Sequence, residues 1–299
     1  MTQAIPKLIS LQALSFLHPG TGQNTGVVDL PIQREVHTEF PVYAASGFKG
    51  SLRDKAEQEW GKGERVNCLF GADAMDEELT AGSFSISDAR ILAFPVRSLQ
   101  KVFMWVTCPM VLERLKRDCM ITKLKGIDLG NIDNISIDKG TVWATKKADL
   151  QPTLVLEELA FQINDNQQTS NIAKTIKSLT NDNSGFDENR LVILNDDDFK
   201  YLVKYATQVS ARIKLNEDKT TTGNGGNLWY EETLPPETLL YAITLYHKPR
   251  HSMERMNNAH EVANSFQDII ADEFIQIGGN ETVGQGWCSI KMMPEQGDS

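Results

Sequence analysis

The residues best suited to chemistry are a few acids and one imidazole. Asp29 stands alone in GVVDLPIQRE, Gly26 to Glu35, after two valines and before a Leu-Pro step. With a reference pKa of about 3.9 it is ionised at neutral pH, a weak base but a good anchor for a metal ion or a water. His18, eleven residues upstream, opens the turn-rich run HPGTGQNTG. Its reference pKa of about 6.5 suits proton transfer, and such a run can fold it back beside Asp29. Glu231 and Glu232, in LWYEE, are candidate second carboxylates. Each of these also has a plain structural role open to it: Asp29 capping a turn, His18 bonded to loop backbone, the glutamates keeping a strand edge charged.

Two segments have the chemistry of anion binding. ASGFKGSLR, Ala45 to Arg53, begins a helix with Ser46 as a possible N-cap, two glycines, and Lys49 and Arg53 one turn apart. A helix N-terminus flanked by bases attracts phosphate, although the same pattern also describes a solvated helix face. IQIGGNETVGQGW places Gly278, Gly279, Gly284 and Gly286 between a strand and WCSIKM. Glycines at that density let a backbone approach a phosphate closely, or simply turn a hairpin. No Gly-Lys-Ser/Thr follows and no helix comes next, so neither the P-loop nor the dinucleotide fingerprint applies.

The elements that must position these groups read as α+β. A strand is expected at Leu8 to Phe16, then a helix from Ser46 with Phe48, Leu52, Ala56 and Trp60 spaced four apart on one face. Strands follow at Phe84 to Phe94 and Val102 to Cys108, and a short helix at Met110 to Lys116. Strand, helix, strand, strand, helix is the opening of a split βαβ, ferredoxin-like unit. From 126 to 168 the periodicity fades, which reads as an insertion. Helices are expected at Ser170 to Leu179 and Asp196 to Tyr205, the second with an acidic first turn that suits a helix N-terminus. Val209, Ala211, Ile213 and Leu215 then alternate with Ser210, Arg212 and Lys214, the period of a half-exposed strand. TTTGNGGN turns the chain and LWYEE returns, giving a projecting hairpin over 207–232. Strand Leu239 to Tyr246, helix Asn258 to Asp272 and strand Phe274 to Ile277 complete the second half.

At 299 residues the chain exceeds the ~150-residue prior for one domain, so two domains or one enlarged domain are expected. A 40% hydrophobic and 23% charged composition is that of an ordinary globular protein and excludes disorder throughout. Acids outnumber bases 40 to 30, and a net charge of −10 argues against a surface that coats nucleic acid everywhere. A local basic groove stays open, because Arg90, Arg97, Lys101, Arg114, Lys116, Arg117, Lys123 and Lys125 face only Glu113 and Asp118 in their stretch. The four cysteines form no C-x-x-C pair, and the sequence has neither a signal peptide's apolar run nor a membrane-spanning segment. A reduced, cytoplasmic location without membrane contact is the expectation.

The run ending GVVDLPIQREVHTEFPVYAASGFKGSLR, the blocks ARIKLN through GNLWYEETLPPETLLY, and IQIGGNETVGQGW together resemble the RAMP-superfamily backbone subunits of type III-B (Cmr) CRISPR effector complexes. These blocks cover close to half of the chain. The resemblance implies one domain over 1–299, a modified ferredoxin-like, RRM-like palm with inserted helical segments and a β-hairpin thumb. It implies a subunit that polymerises with copies of itself into a helical filament along a CRISPR guide RNA, beside other effector subunits. Target RNA is then read by base pairing, as in other guided effectors. It further implies cleavage of the target at regular intervals, dependent on a divalent metal, Mg2+ or Mn2+, with the acid responsible falling on Asp29. RNA carries its own nucleophile, the 2′-hydroxyl, which reaches the next phosphate only where the backbone is bent into line. Asp29 is accordingly assigned to metal positioning or transition-state electrostatics, with general base second, and His18, Glu231 and Glu232 stand around it as further catalytic residues. Ser46, Lys49, Arg53, Arg34 and the Gly278–Gly286 turn are assigned to guide phosphates. The rival readings are a scaffold that orders guide and target while a partner cuts, and a guide-precursor ribonuclease that works without metal.

Overall fold

The computed structural model describes the chain apart from residues 1–3, 24–25, 73–79, 125–126, 128, 130–134, 146–147, 216–220, 222–227, 251–252 and 295–299. Among the described residues the architecture is mixed α+β, one large sheet with helices on both faces. The strands are β1 (Ile5–Ala13), β2 (Val42–Tyr43), β3 (Phe84–Ile86), β4 (Ala89–Arg97), β5 (Phe103–Thr107), β6 (Thr141–Ala144), β7 (Thr153–Leu156), β8 (Leu159–Asp165), β9 (Leu191–Ile193), β10 (Gln208–Ile213), β11 (Leu228–Thr233), β12 (Leu239–Tyr246), β13 (Phe274–Gln276) and β14 (Trp287–Met292). The helices are α1 (Ala45–Trp60), α2 (Glu64–Phe70), α3 (Pro109–Thr122), α4 (Gln167–Leu179), α5 (Asp196–Tyr205) and α6 (Ala259–Ile269).

The main sheet runs β13-β14-β1-β12-β4-β5-β9-β6-β8-β7, with β2 on β4 and β3 on β12, while β10 and β11 form a separate ribbon. β12 pairs antiparallel with both β1 and β4, so β1 and β4 run parallel on either side of it. Both faces of this centre are covered, which is why β1 is buried almost continuously from Leu8 to Ala13 rather than at alternate positions. Tyr241 and Tyr246, five residues apart on β12, point to opposite faces. Tyr246 packs against Phe266 of α6 and Phe84, with ring centroids 5.5 and 5.8 Å away. Tyr241 donates its hydroxyl to Asp118 of α3 at 3.0 Å. Phe48, Leu52 and Ala56 of α1 are buried, as their spacing predicts.

Several expected boundaries shift. The first strand begins at Ile5 and ends at Ala13, because Leu14 already lies exposed where the chain leaves the sheet. The strand expected over Phe84 to Phe94 is broken at Ser87 and Asp88 into β3 and β4. Ser46 does not cap α1. The N-cap is Ala44, which has no side-chain bond, and Asp88 Oδ1 accepts from the Ala45 N–H at 2.8 Å instead. That Asp–Ser interruption therefore serves the neighbouring helix, placing a carboxylate at its positive end. The short helix after β5 extends over Pro109–Thr122. Residues 126–168 carry β6, β7 and β8, which continue the sheet beyond β9. The glycine-rich hairpin tip lies almost wholly outside the described residues.

Candidate active site

After β1 the chain crosses between the root of the β10–β11 ribbon and the turn over 278–286. Leu17 exchanges backbone bonds with Leu234, the Gly279 N–H donates to His18 O at 3.0 Å, and the Gly286 N–H to Phe16 O at 2.8 Å. The next segment lies along the other side of β11. The Leu30 N–H donates to Tyr230 O at 3.0 Å, the Glu232 N–H to Leu30 O at 3.0 Å, and the Tyr230 N–H to Asp29 Oδ2 at 2.7 Å. Asp29 is half-buried, one oxygen held by β11. Residues 200 positions apart are thus brought together by strand pairing.

Glu231 and Glu232 are 3% and 7% exposed, so they are not the charged, solvated strand edge that their sequence also allowed. Adjacent residues in a strand point opposite ways, and each acid is met on its own side. Glu231 Oε2 accepts from Arg212 Nε at 2.9 Å, its Oε1 accepts from Asn280 Nδ2, and His18 Nδ1 stands 3.7 Å from Oε1. Glu232 Oε1 accepts from Arg34 Nη2 at 2.5 Å and from Thr207 Oγ1 at 2.7 Å, while Oε2 accepts from the Ile32 N–H at 3.1 Å. Arg34 Nη1 donates further to the carbonyls of Glu39 and Val203. Burial of these carboxylates is tolerable only because every one is both charge-paired and hydrogen-bonded.

His18 is 8% exposed and lies against the backbone of β11, Nδ1 being 2.7 Å from Glu232 O. A carbonyl cannot donate, so Nδ1 carries a proton and is the donor in this bond. A Cβ on Gly20 would stand 2.6 Å from Nε2, and one on Gly279 would stand 3.2 Å from Cδ2. Glycines at both positions leave room for the ring.

The two candidate anion sites meet at Tyr43. Its hydroxyl accepts from the Gly278 N–H at 3.0 Å and lies where a Cβ on Gly47 would come within 3.1 Å. The first turn of α1, with Ser46 exposed, therefore adjoins the glycine turn. Gly278, Gly284 and Gly286 have φ of +79°, +78° and +80°. At Gly286 a Cβ would fall 1.9 Å from Ile277 O, so the close approach admits only glycine. Lys49 and Arg53 turn inward. Lys49 Nζ donates to Phe84 O at 3.2 Å, and burial, then the nearby Arg53 charge, lower its pKa. Arg53 reaches Glu57, Gly71 O and Asn67. Arginines of the basic stretch are likewise paired: Arg90 with Asp118, Arg97 with Glu157 and Arg114 with Glu35.

Sequence reasoning missed Arg212, Asn280 and Thr207 as partners of the two acids. Only Asn280 carried a signal, an asparagine after two glycines, which is a residue that tolerates the left-handed conformation it adopts at φ +65°. Among the described residues no group of three or more His, Cys, Asp or Glu side chains is arranged to hold a metal ion, and no helix is long and apolar enough to cross a membrane.

The chain belongs to the RAMP superfamily, whose pattern it matches over residues 10–289. Within it, the chain is 37% identical over 294 residues to the CRISPR system Cmr endoribonuclease Cmr4 of Pyrococcus furiosus, covering 95% of each protein. It superposes on the crystal structure of oligomeric Cmr4 from that organism with a TM-score of 0.71 and 29% identity, covering 97% of this chain and 99% of the other. A chain in the cryo-EM structure of the type III-B Cmr-beta complex bound to cognate target RNA shares the fold, with a TM-score of 0.74 at 22% identity over 98% of each.

Proposed function

We propose that this protein is the guide-RNA-binding backbone subunit of a type III-B CRISPR RNA-targeting complex, and that it cuts the paired target RNA beside Asp29. The observation that carries this reading is the setting of Asp29. Its neighbours Glu231 and Glu232 are buried and bonded, whereas Asp29 is fixed by one N–H and keeps a second oxygen at the surface of the hairpin root. The 37% identity to an endoribonuclease over nearly the whole chain supports the activity, and the oligomeric relative supports association with further copies of this chain.

In this reading the parallel β1 and β4 with β12 between them are the centre of a ferredoxin-like palm, and the β10–β11 ribbon is the thumb. The thumb displaces a target nucleotide and bends the strand, so that a 2′-oxygen lines up with the adjacent phosphorus. The 2′-oxygen gives its proton to water and bonds to phosphorus, while the bond to the 5′-oxygen breaks and that oxygen takes a proton from water, leaving a cyclic phosphate and a 5′-hydroxyl. Asp29 is the anionic group placed at that linkage, where its free oxygen positions a metal ion or meets the charge that develops in the transition state. His18, holding the Glu232 carbonyl through Nδ1, keeps β11 in register beneath it.

The residues present fit a divalent ion of modest demand. Mg2+ is commonly held by one or two carboxylates together with substrate phosphates and waters, and the free oxygen of Asp29 is one such ligand. Bound there between protein and RNA, Mg2+ or Mn2+ would supply neutralisation of the charge that builds on the phosphoryl oxygens.

The guide backbone is assigned to the junction of α1 and the glycine turn, with Ser46 at its open end. Lys49 and Arg53 serve it by exchanging their internal carbonyl and side-chain partners for phosphates, and Arg34 contributes by bracing Glu232.

The test is a complex reconstituted with Asp29→Asn and a labelled complementary target. Target binding should persist, while cutting at regular intervals falls at least ~100-fold, the order expected when a positioned group is lost from a bent, in-line geometry. Equal cutting by the variant would remove Asp29 from the mechanism and leave the scaffold reading.

A further inference from the structure

The glycine turn and the hairpin are joined by one side chain. Asn280 donates through Nδ2 to Glu231 Oε1 and, over 2.9 Å, to Gln285 Oε1 across the turn. The Gln285 N–H returns to Asn280 O at 3.2 Å, so the residue is braced within the turn that it links outward. Glu231 in turn belongs to β11, and Arg212 holds its other oxygen from β10. Opposite, β11 carries the Asp29 to Ile32 segment through the bonds of residues 230 to 232. The path from the turn to the cutting carboxylate is thus Asn280, Glu231, one peptide of β11, Asp29.

We propose that Asn280 is a positioning residue for target cleavage. Through Glu231 it fixes β11 against the glycine turn, and the Tyr230 N–H then sets where the Asp29 carboxylate stands against the target linkage. This rests on the reading of Asp29 as the group at the cut. Residue type matters here in two ways. Asparagine accepts φ +65° with little strain, and its amide brings a donor to a carboxylate whose other oxygen is already taken by Arg212. Aspartate would keep the backbone conformation and present an acceptor, placing a like charge against the buried Glu231. A turn seated on guide backbone therefore holds the carboxylate that cuts the opposing strand, and loss of the link should lower the rate of cutting without lowering affinity.

The experiment uses the reconstituted complex with its guide and a labelled target, in single-turnover cleavage and in target-binding titrations. Compared in guide-loaded complexes, Asn280→Asp should slow cutting about 10- to 100-fold, the loss that a displacement on the order of 1 Å produces, with target affinity unchanged. Combining it with Glu231→Gln reverses donor and acceptor, since the amide introduced at 231 donates to the carboxylate introduced at 280. The double variant should return to the rate of Glu231→Gln alone. A role confined to folding would lower binding and cutting together and would show no such rescue. Wild-type cutting by Asn280→Asp, a parallel loss of binding, or an unrescued double variant would each overturn the proposal. Asp29→Asn, run alongside, separates the two ideas. If it cuts normally the reading of Asp29 fails, whereas if it is inert and Asn280→Asp cuts normally only the positioning role fails.

Discussion

Replacing Glu232 by alanine tests what holds the Asp29 segment to the hairpin. The carboxylate accepts from Arg34, Thr207 and the Ile32 N–H, and its removal leaves the Arg34 guanidinium, 18% exposed, without its counter-charge. Breaking a buried pair from one side typically costs 3–5 kcal/mol; Arg34 keeps its carbonyl acceptors at Glu39 and Val203, which points to the lower end, about 3 kcal/mol. At roughly 2–4 °C per kcal/mol for a large domain, the melting midpoint should fall by about 6–12 °C. Arg34→Met/Glu232→Leu removes both charges and replaces them with apolar volume, which is often nearly neutral. With Arg34→Met and Glu232→Leu as the single variants, the double-mutant cycle should therefore show a coupling of at least about 3 kcal/mol, read from urea midpoints at constant m-value. If both single variants lose less than about 1 kcal/mol and their losses simply add, the pair is not what anchors the segment, and the geometry argued for Asp29 loses its support.

Two glycines in one turn should respond differently. Gly286→Ala, where a Cβ would lie 1.9 Å from Ile277 O, should cost more than about 3 kcal/mol, whereas Gly284→Ala, with open space at a similar φ, should cost about 1 kcal/mol. Equal losses in thermal melts would show that positive φ and not the close approach decides the matter. Burial pushes the Glu35 carboxyl upward, but bonds from Thr38 and Arg114 outweigh it and leave the pKa below 4.5. A depressed carboxyl contributes stability that is present above its unfolded pKa and lost as pH falls through the folded one. Glu35→Gln should therefore be less stable than wild type at neutral pH and converge on it below pH 4.5, as followed by thermal midpoints across the acid range.

Legibility in the sequence followed periodicity. α5 spans Asp196–Tyr205 as its apolar spacing and acidic first turn predict, and Asn195 caps it by accepting from the Asp198 N–H. β10 forms as the alternation predicts but with its faces reversed: Val209, Ala211 and Ile213 lie exposed, while Ser210 and Arg212 are half-buried because Arg212 turns in to Glu231. The first strand was displaced because a strand buried on both sides has no period to fix its ends. β7 and β8 went unread for the opposite reason: they lie at the sheet's end, and β8 is largely exposed, with little apolar pattern to report. At the site, residue types drew attention to Asp29, His18, Glu231 and Glu232, but not to their bonding. Spacing says nothing of a carboxylate and an N–H 201 positions apart, and the inward turn of Lys49 and Arg53 depends on carbonyls supplied by β3 and the end of α2.

The consecutive acids explain why a lone aspartate stands at the start of this hairpin. A pair of glutamates in one strand looks like a two-carboxylate metal set, yet the pleat sends one side chain to each face, where it cannot share an ion with the other. Each instead meets an arginine, Arg212 on one side and Arg34 on the other, and each ties β11 to a different neighbour. Glu231 faces the glycine turn through Asn280, and Glu232 faces the Asp29 segment through the Ile32 N–H. Anchored on both faces, β11 has no freedom to let its Tyr230 N–H drift, so the one acid bonded there by a single oxygen inherits a fixed position without being buried. In the proposed reading, buried charges set the frame and the partly exposed one does the chemistry. That division follows from desolvation, since an ion pair stripped of water holds its geometry while a group meeting phosphate must keep an open face.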